Sequence, residues 1–214
     1  MLNQPHSNAE AEADADEETE SVPSRPKNLI YKSGDLLSAK EEYIVHQCNC
    51  TSSTAGGLAH AITTRLPYAA PYVYRRPNPA KRTRCLPEDA SKPGTIQVWR
   101  SSSPESPHVI GLYAQQEPGK PHGADSRSVR EGWFRSCLGL INKVSGVTSV
   151  AFPWQIGCGL AGGDWNVYEE MIWEWAGNHP DVSVAIYKLE DSGQRSRRGR
   201  GRGGGTRGGR GSGM

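Results

Sequence analysis

The chain has 214 residues and a net charge of +2, which leaves room for one good-sized domain. No apolar run approaches the roughly 18 residues of a membrane-spanning helix, which argues against a membrane protein. An odd number of cysteines, five, and no basic-then-apolar leader argue against a secreted disulfide framework and favour reduced thiols in the cytoplasm or the nucleus.

The two ends of the chain differ in charge from its centre. Seven acidic residues and no basic residue lie between positions 10 and 20, whereas seven arginines and no acid lie between positions 195 and 210. Blocks of like charge repel themselves and seldom fold. We therefore predict a disordered acidic head over residues 1–26, one folded domain over residues 27–191 and a disordered Arg/Gly-rich tail over residues 192–214.

Short apolar runs alternate with helical patterns through the centre of the chain. An amphipathic helix is predicted where apolar residues recur at three- and four-residue spacing, at Val129, Trp133, Cys137, Ile141 and Val144. Asp164 is typical of the N-cap of a further helix. In chain order, strands are predicted over 29–32 and 43–48, a helix over 58–66, strands over 95–99 and 109–113, the amphipathic helix, a strand over 150–152, the capped helix and a strand over 182–189.

Strands separated by helices predict an α/β fold. We expect a three-layer α/β/α sandwich whose mixed central sheet is mostly parallel. Ligands of such sheets bind beyond the carboxyl ends of the strands. The proline-rich residues 75–93, which include the basic side chains Arg75, Arg76, Lys81, Arg82 and Arg84, are predicted to form a long surface loop.

Two glycine-rich loops follow predicted strands and lead into predicted helices. The first loop runs from Asn49 to Gly56-Gly57, and the second runs from Gly157 to Gly163. Glycine lets the main chain come close to a phosphate, and the free N–H groups of a helix start can bind an anion. Two such loops at one edge of the sheet predict a diphosphate held between backbone amides.

A third segment, Gly34-Asp35-Leu36, follows the first predicted strand. The Asp35 carboxylate could accept a hydrogen bond from an exocyclic amine such as that of adenine. It could equally serve as a turn residue or a helix cap.

In this order and spacing, the three segments resemble the macrodomain family over about residues 27–190. Within that family, His46-Gln47-Cys48-Asn49-Cys50 with Gly56-Gly57-Leu58-Ala59 looks like the yeast ADP-ribose 1″-phosphate phosphatase branch. The resemblance implies a macrodomain-like sandwich that removes phosphate from an ADP-ribose by-product of tRNA splicing, with no cofactor and no metal.

The resemblance also implies the roles of individual residues. Asp35 would bind adenine, Asn49 would hold the distal ribose, and Tyr187 would line the adenine side unless it is a sheet residue packed under a helix. The residues that would contact ADP-ribose or its 1″-phosphate are Gly34, Asp35, Leu36, Gln47, Cys48, Asn49, Thr54, Ala55, Gly56, Gly57, Leu58, Ala59, Gly157, Cys158, Gly159, Leu160, Ala161, Gly162, Gly163 and Tyr187.

Two departures from the family pattern bear on the reaction. Ala59 stands where many protein-deacylating macrodomains have an acid, and Ala161 stands where a branch that frees ADP-ribose from glutamate has an aspartate. The lysine nucleophile of that branch has no counterpart near Gln115, since Lys120 lies further on. The alternatives to a phosphatase are therefore an ADP-ribose reader, or a hydrolase of ADP-ribosylated protein or nucleic acid that lacks these catalysts.

His46 and Asn49 are the candidate catalytic residues. Histidine titrates near neutrality and could protonate the leaving group or activate water, but it could also be a buried residue of the sheet. Its alternation with Cys48 and Cys50 is a weak zinc pattern because a second pair of ligands is missing. Cys158 has no identifiable base beside it and is better explained as a small loop residue.

The arginines and glycines of residues 193–214 resemble an RGG box. Flexible arginines neutralise phosphates and stack on bases, which predicts RNA binding through this tail with little sequence preference. The alternative is a tail that only improves solubility. We expect a monomer without membrane contact.

Overall fold

The computed structural model describes residues 24–190, so nearly all of the predicted head and the whole of the predicted tail lie outside the described residues. Two short 3₁₀ turns, Leu36–Ser38 and Pro87–Asp89, accompany the main elements. These elements are, in chain order, β1 (Leu29–Ser33), β2 (Tyr43–Asn49), α1 (Gly57–Arg65), β3 (Ile96–Trp99), β4 (His108–Gln115), α2 (Arg127–Ile141), β5 (Ser149–Pro153), α3 (Trp165–Gly177) and β6 (Ser183–Lys188).

The six strands form one sheet in the order β1-β6-β5-β2-β4-β3. All neighbouring strands run parallel except β3, which pairs antiparallel with β4. The carboxyl ends of the five parallel strands therefore meet at one edge of the sheet, where the loops after β2 and β5 begin.

Helices cover both faces of the sheet. Successive side chains of a strand point to opposite faces, so the apolar side chains on each face are buried under helices. Ile44 of β2 packs with Ile62 of α1 in one apolar cluster, whereas Tyr43 and Val45 pack with α2 and α3 in another. All three residues of β2 are completely buried. The predicted three-layer α/β/α sandwich is thus confirmed.

The predicted elements differ from the observed ones in two places. Val144 follows the end of α2 at Ile141 and packs against the core from the next turn. The stretch 75–93 is a loop with one 3₁₀ turn, but it is not only a surface loop, since Arg75 and Cys85 are buried within it. Within the described residues, no helix is long and apolar enough to cross a membrane.

Candidate functional site

A cleft of about 580 Å³ opens at the carboxyl ends of β2, β4 and β5. The two glycine-rich loops form opposite walls of this cleft, as their positions after β2 and β5 require. The predicted site residues that line it are His46, Gln47, Asn49, Thr54, Ala55, Gly56, Gly57, Leu58, Ala59, Gly157, Gly159, Leu160 and Ala161. A cavity of this size is typical of a site for a small molecule.

The early loop, residues 50–56, presents an uncapped helix start to the cleft. Asn49 stabilises its beginning, because the Asn49 Oδ1 accepts a hydrogen bond of 2.7 Å from the Ser52 N–H. Gly56 is the N-cap of α1 and supplies no side-chain cap. The N–H groups of the first turn have no partner within a helix, so they are free to bind an anion.

The conformation of the late loop, residues 154–163, requires glycine where its main chain packs closely against other residues. Gly157 has a φ of +72°, and a Cβ atom built there would lie 2.3 Å from the Oε1 of Gln47. The Gly163 N–H donates to the Gly157 carbonyl at 3.0 Å, which closes the loop on itself. Gln155 also adopts a positive φ, +57°, although it is not glycine. Such backbone strain in non-glycine residues is concentrated at functional sites.

Two glutamines lie side by side at the floor of the cleft. The Nε2 of Gln47 donates to the Oε1 of Gln115 at 2.7 Å, and the Gln115 Nε2 donates to the Glu117 carbonyl at 2.9 Å. This chain of bonds fixes the orientation of both amides. The Oε1 of Gln47 is buried and has no hydrogen-bond partner among residues 24–190. A buried acceptor without a partner is rare, and a bound water molecule or a local opening of the cleft floor would satisfy it.

A buried ion pair behind the cleft joins the late loop to the segment that follows β4. Arg130 of α2 is 2% exposed, and its Nε donates to the Asp125 carboxylate at 2.8 Å. The Nη1 of Arg130 donates to the carbonyls of Gly119, at 2.7 Å, and Ala161, at 3.0 Å. Burial alone would raise the pKa of Asp125, but hydrogen bonds from Arg130 and the backbone hold that pKa below its ordinary value.

Comparison with solved structures identifies the fold of this chain, but comparison of sequences identifies no family. Neither a family model nor a curated protein matches the chain. Among solved structures, the macrodomain of Mycobacterium tuberculosis DarG is 22% identical over 74% of this chain and 96% of its own, with a TM-score of 0.56. The fold is that of a macrodomain.

Two further structures with this macrodomain fold contain ADP-ribose. Thermosipho africanus DarTG in complex with ADP-ribose is 15% identical over 76% of this chain and 42% of its own, with a TM-score of 0.56. The Trypanosoma brucei macrodomain in complex with ADP-ribose is 13% identical over 77% of this chain and 68% of its own, with a TM-score of 0.51. These identities establish the shared macrodomain fold and no more.

Within this macrodomain fold, the predicted adenine residues do not line the cleft. The Asp35 Oδ1 accepts from the Leu37 N–H at 2.9 Å, and its Oδ2 pairs with Arg65, so Asp35 caps a 3₁₀ turn. The Tyr187 hydroxyl donates to Glu41 at 2.9 Å, and its ring packs in the cluster beneath that turn. Both placements match the structural alternatives for these residues. The other predicted residues outside the cleft lining are Gly34, Leu36, Cys48, Cys158, Gly162 and Gly163.

His46 lies in the floor of the cleft but is completely buried. Burial lowers the pKa of its imidazole to about 4, so the ring is neutral at physiological pH. Its nitrogens contact only the Cys48 sulfur, at 3.6 and 3.7 Å, among the hydrogen-bonding groups of residues 24–190. This is the placement of a buried residue of the sheet.

Neither Cys48 nor Cys158 is placed as a nucleophile. Burial raises the pKa of the Cys48 thiol to about 12 and that of Cys158 to about 11. The Cys158 thiol donates to the Ile156 carbonyl at 3.2 Å. In the described part of the chain, no group of His, Cys, Asp and Glu side chains could hold a metal ion.

Several lining residues have no motif that could have revealed them. Trp154 contributes an indole ring, with the Lys188 Nζ 4.5 Å from the ring centroid. Tyr72 and Thr83 come from the segment between α1 and β3, and Gln115 from the end of β4. The lining residues missed by sequence analysis are Ser52, Tyr72, Thr83, Gln115, Pro118, Gly119, Pro153, Trp154, Gln155 and Ile156.

Proposed function

We propose that this chain is a member of the macrodomain family that binds ADP-ribose in the cleft between its two glycine-rich loops. The observation that carries this proposal is the convergence of the uncapped start of α1 with the late loop on one cavity. The residues lining that cavity include no Asp, Glu, Lys or Arg, so backbone amides would supply the contacts to a diphosphate. The ADP-ribose held by two proteins of the same fold supports this ligand.

Titration calorimetry with ADP-ribose, ADP and AMP tests the proposal. If both loops and the floor of the cleft take part, affinity should fall in the order ADP-ribose, ADP, AMP. Equal affinity for all three nucleotides would contradict a site that accommodates the distal ribose. No heat above dilution with ADP-ribose would reject the proposed function.

For the reaction, we propose hydrolysis of ADP-ribose 1″-phosphate to ADP-ribose and inorganic phosphate. The support is the motif resemblance over residues 46–50 and 56–59. Water would attack phosphorus, the bond between phosphorus and the 1″ oxygen would break, and that oxygen would take a proton. The Oε1 of Gln47, the buried acceptor at the cleft floor, would orient a water molecule or a ligand hydroxyl. We assign no proton transfer to His46, because it is buried and neutral.

Phosphate release from ADP-ribose 1″-phosphate tests this reaction. Wild type and His46→Asn should both release phosphate, whereas Gln47→Leu, which removes the free acceptor, should be at least about tenfold slower. Loss of activity in a folded His46→Asn variant would show that His46 takes part in catalysis. Binding of ADP-ribose without any phosphate release would select the reader, which the absence of charged side chains from the lining also favours.

A further inference from the structure

Arg75 is a buried cation directly behind the early loop. It lies between α1 and β3, in a segment with no helix or strand pattern, and only 7% of its surface is exposed. Its Nη1 donates to the carbonyl oxygens of Ser52, at 2.9 Å, and Asn49, at 3.2 Å. Its Nη2 donates to the Ser91 hydroxyl at 2.7 Å. One side chain thus holds both ends of the turn that carries Asn49 into the cleft.

Two aromatic rings complete the surroundings of this guanidinium. The Arg75 Cζ lies 4.8 Å from the ring centroid of Tyr72 and 5.6 Å from that of Tyr113, within the range of cation–π attraction. The Tyr72 hydroxyl in turn accepts a bond of 3.1 Å from the Asn49 N–H. Arg75 and Tyr72 therefore fix Asn49 from two directions.

No carboxylate of residues 24–190 forms an ion pair with Arg75. The adjacent Arg76 is exposed and pairs with Asp89, and the buried Arg130 pairs with Asp125. A buried charge without a counter-ion is costly, so its retention calls for a compensating role. The carbonyls of the early loop and the two aromatic rings supply part of the compensation.

We propose that Arg75 is a positioning residue for the distal-ribose end of the cleft, an inference that rests on the proposed function. By holding the carbonyls of Asn49 and Ser52 on the side away from the cleft, it fixes the turn in the form that presents the Asn49 side chain to the ligand. Arg75 itself does not line the cleft.

Paired measurements on ADP-ribose and ADP test this role, because only ADP-ribose carries the distal ribose. Arg75→Gln should weaken ADP-ribose binding about tenfold, the equivalent of one hydrogen bond to a charged group, and ADP binding less than about twofold. Arg75→Lys keeps the charge but cannot bond both carbonyls in one plane, so it should not restore ADP-ribose affinity. Arg82→Gln removes an exposed charge from the same loop and serves as the matched control.

Three results in these titrations would overturn the proposal. They are unchanged affinity for ADP-ribose in Arg75→Gln, an equal loss for ADP-ribose and ADP, and full recovery in Arg75→Lys. A wild type that binds neither ligand would instead reject the proposed function.

Amide hydrogen exchange in the free protein tests the positioning role of Arg75 separately from the proposed function, because the measurement needs no ligand. Arg75→Gln should exchange faster over residues 49–54, while α2 and α3 stay protected as in the wild type. An exchange pattern identical to that of the wild type would overturn the positioning role whatever the protein binds.

Discussion

Arg130 bonds to the carbonyl of Ala161 at 3.0 Å, although the two residues lie 31 positions apart. This bond ties helix α2 to the late loop, and a second bond from the same nitrogen ties α2 to Gly119 on the neighbouring wall. The cleft therefore does not depend on its loops alone for its shape. Its late loop and the segment after β4 are fixed to one buried side chain of the core.

Removing the counter-ion of this arginine should destabilise the whole domain. Asp125→Asn leaves Arg130 buried without a negative partner, which costs about 3–5 kcal/mol in comparable cases. The free energy of unfolding, measured by urea denaturation, reports the loss. Glu174→Gln breaks the exposed pair with Arg135 and should cost less than about 1 kcal/mol. Similar losses in both variants would contradict the structural role of the buried pair.

Replacing Gly157 with alanine should damage the site more than the fold. The new Cβ would meet the Gln47 Oε1 at 2.3 Å, and a φ of +72° strains any residue with a side chain. We expect a loss of about 1–3 kcal/mol in stability and at least about a tenfold loss in ADP-ribose affinity. Gly139→Ala, in an open position of α2, should instead stabilise the protein by about 0.5–1 kcal/mol. Wild-type affinity in a folded Gly157→Ala variant would contradict the close approach of this loop to Gln47.

His46 should make the protein sensitive to mild acid. Because the pKa of its imidazole is about 4 in the folded state and about 6.5 when unfolded, the unfolded chain takes up the proton first. Stability should therefore rise with pH between about 4 and 6.5, and His46 alone should contribute about 3 kcal/mol across that window. Denaturation of His46→Asn across the same pH range should lack this contribution.

The matched control for this pH dependence is His60→Asn, since His60 is exposed on α1. It should keep the dependence of the wild type. Asp125 loses its stabilising charge only as the pH falls through its lowered pKa, so its effect lies in more acidic solution than that of His46. An identical pH dependence in wild type and His46→Asn would mean that the imidazole is not buried in solution.

The Arg/Gly-rich tail should confer RNA binding that weakens with salt. Deletion of residues 193–214 should remove this binding, since the tail carries seven arginines within residues 195–210. In the full chain, the logarithm of the affinity should fall with the logarithm of salt concentration by about 0.7 for each phosphate contacted on a single strand. Filter binding at several salt concentrations measures both quantities. Unchanged affinity in the truncated chain would place the RNA site elsewhere.

Periodicity in the sequence was sufficient to predict the elements of the fold. The apolar run Tyr43-Ile44-Val45 of β2 and the Asp164 cap of α3 each involve a few neighbouring positions, and both elements are found where they are predicted. The glycine-rich loops were recognisable for a similar reason, because the backbone of Gly157 needs a conformation that other residues avoid.

The rest of the cleft depends on contacts between distant segments. Gln115 enters the floor only because β4 pairs with β2, and Trp154 lies at the wall because β5 lies on the other side of β2. The motif predicts that Asp35 binds adenine, whereas in the structure its carboxylate pairs with Arg65 and accepts from a backbone N–H. The sequence predicts a surface loop around Arg75, because burial of an arginine has no local pattern.

The sheet pairs the first described strand with the last one. In the described structure β1 is bonded to β6 alone, in parallel register from Leu29 with Val184 to Ser33 with Lys188. A ribosome-bound chain therefore cannot complete this sheet until Lys188 has left the exit tunnel. Until then β1 has no strand to pair with, and nascent chains should remain exposed to chaperones and proteases until β6 has emerged.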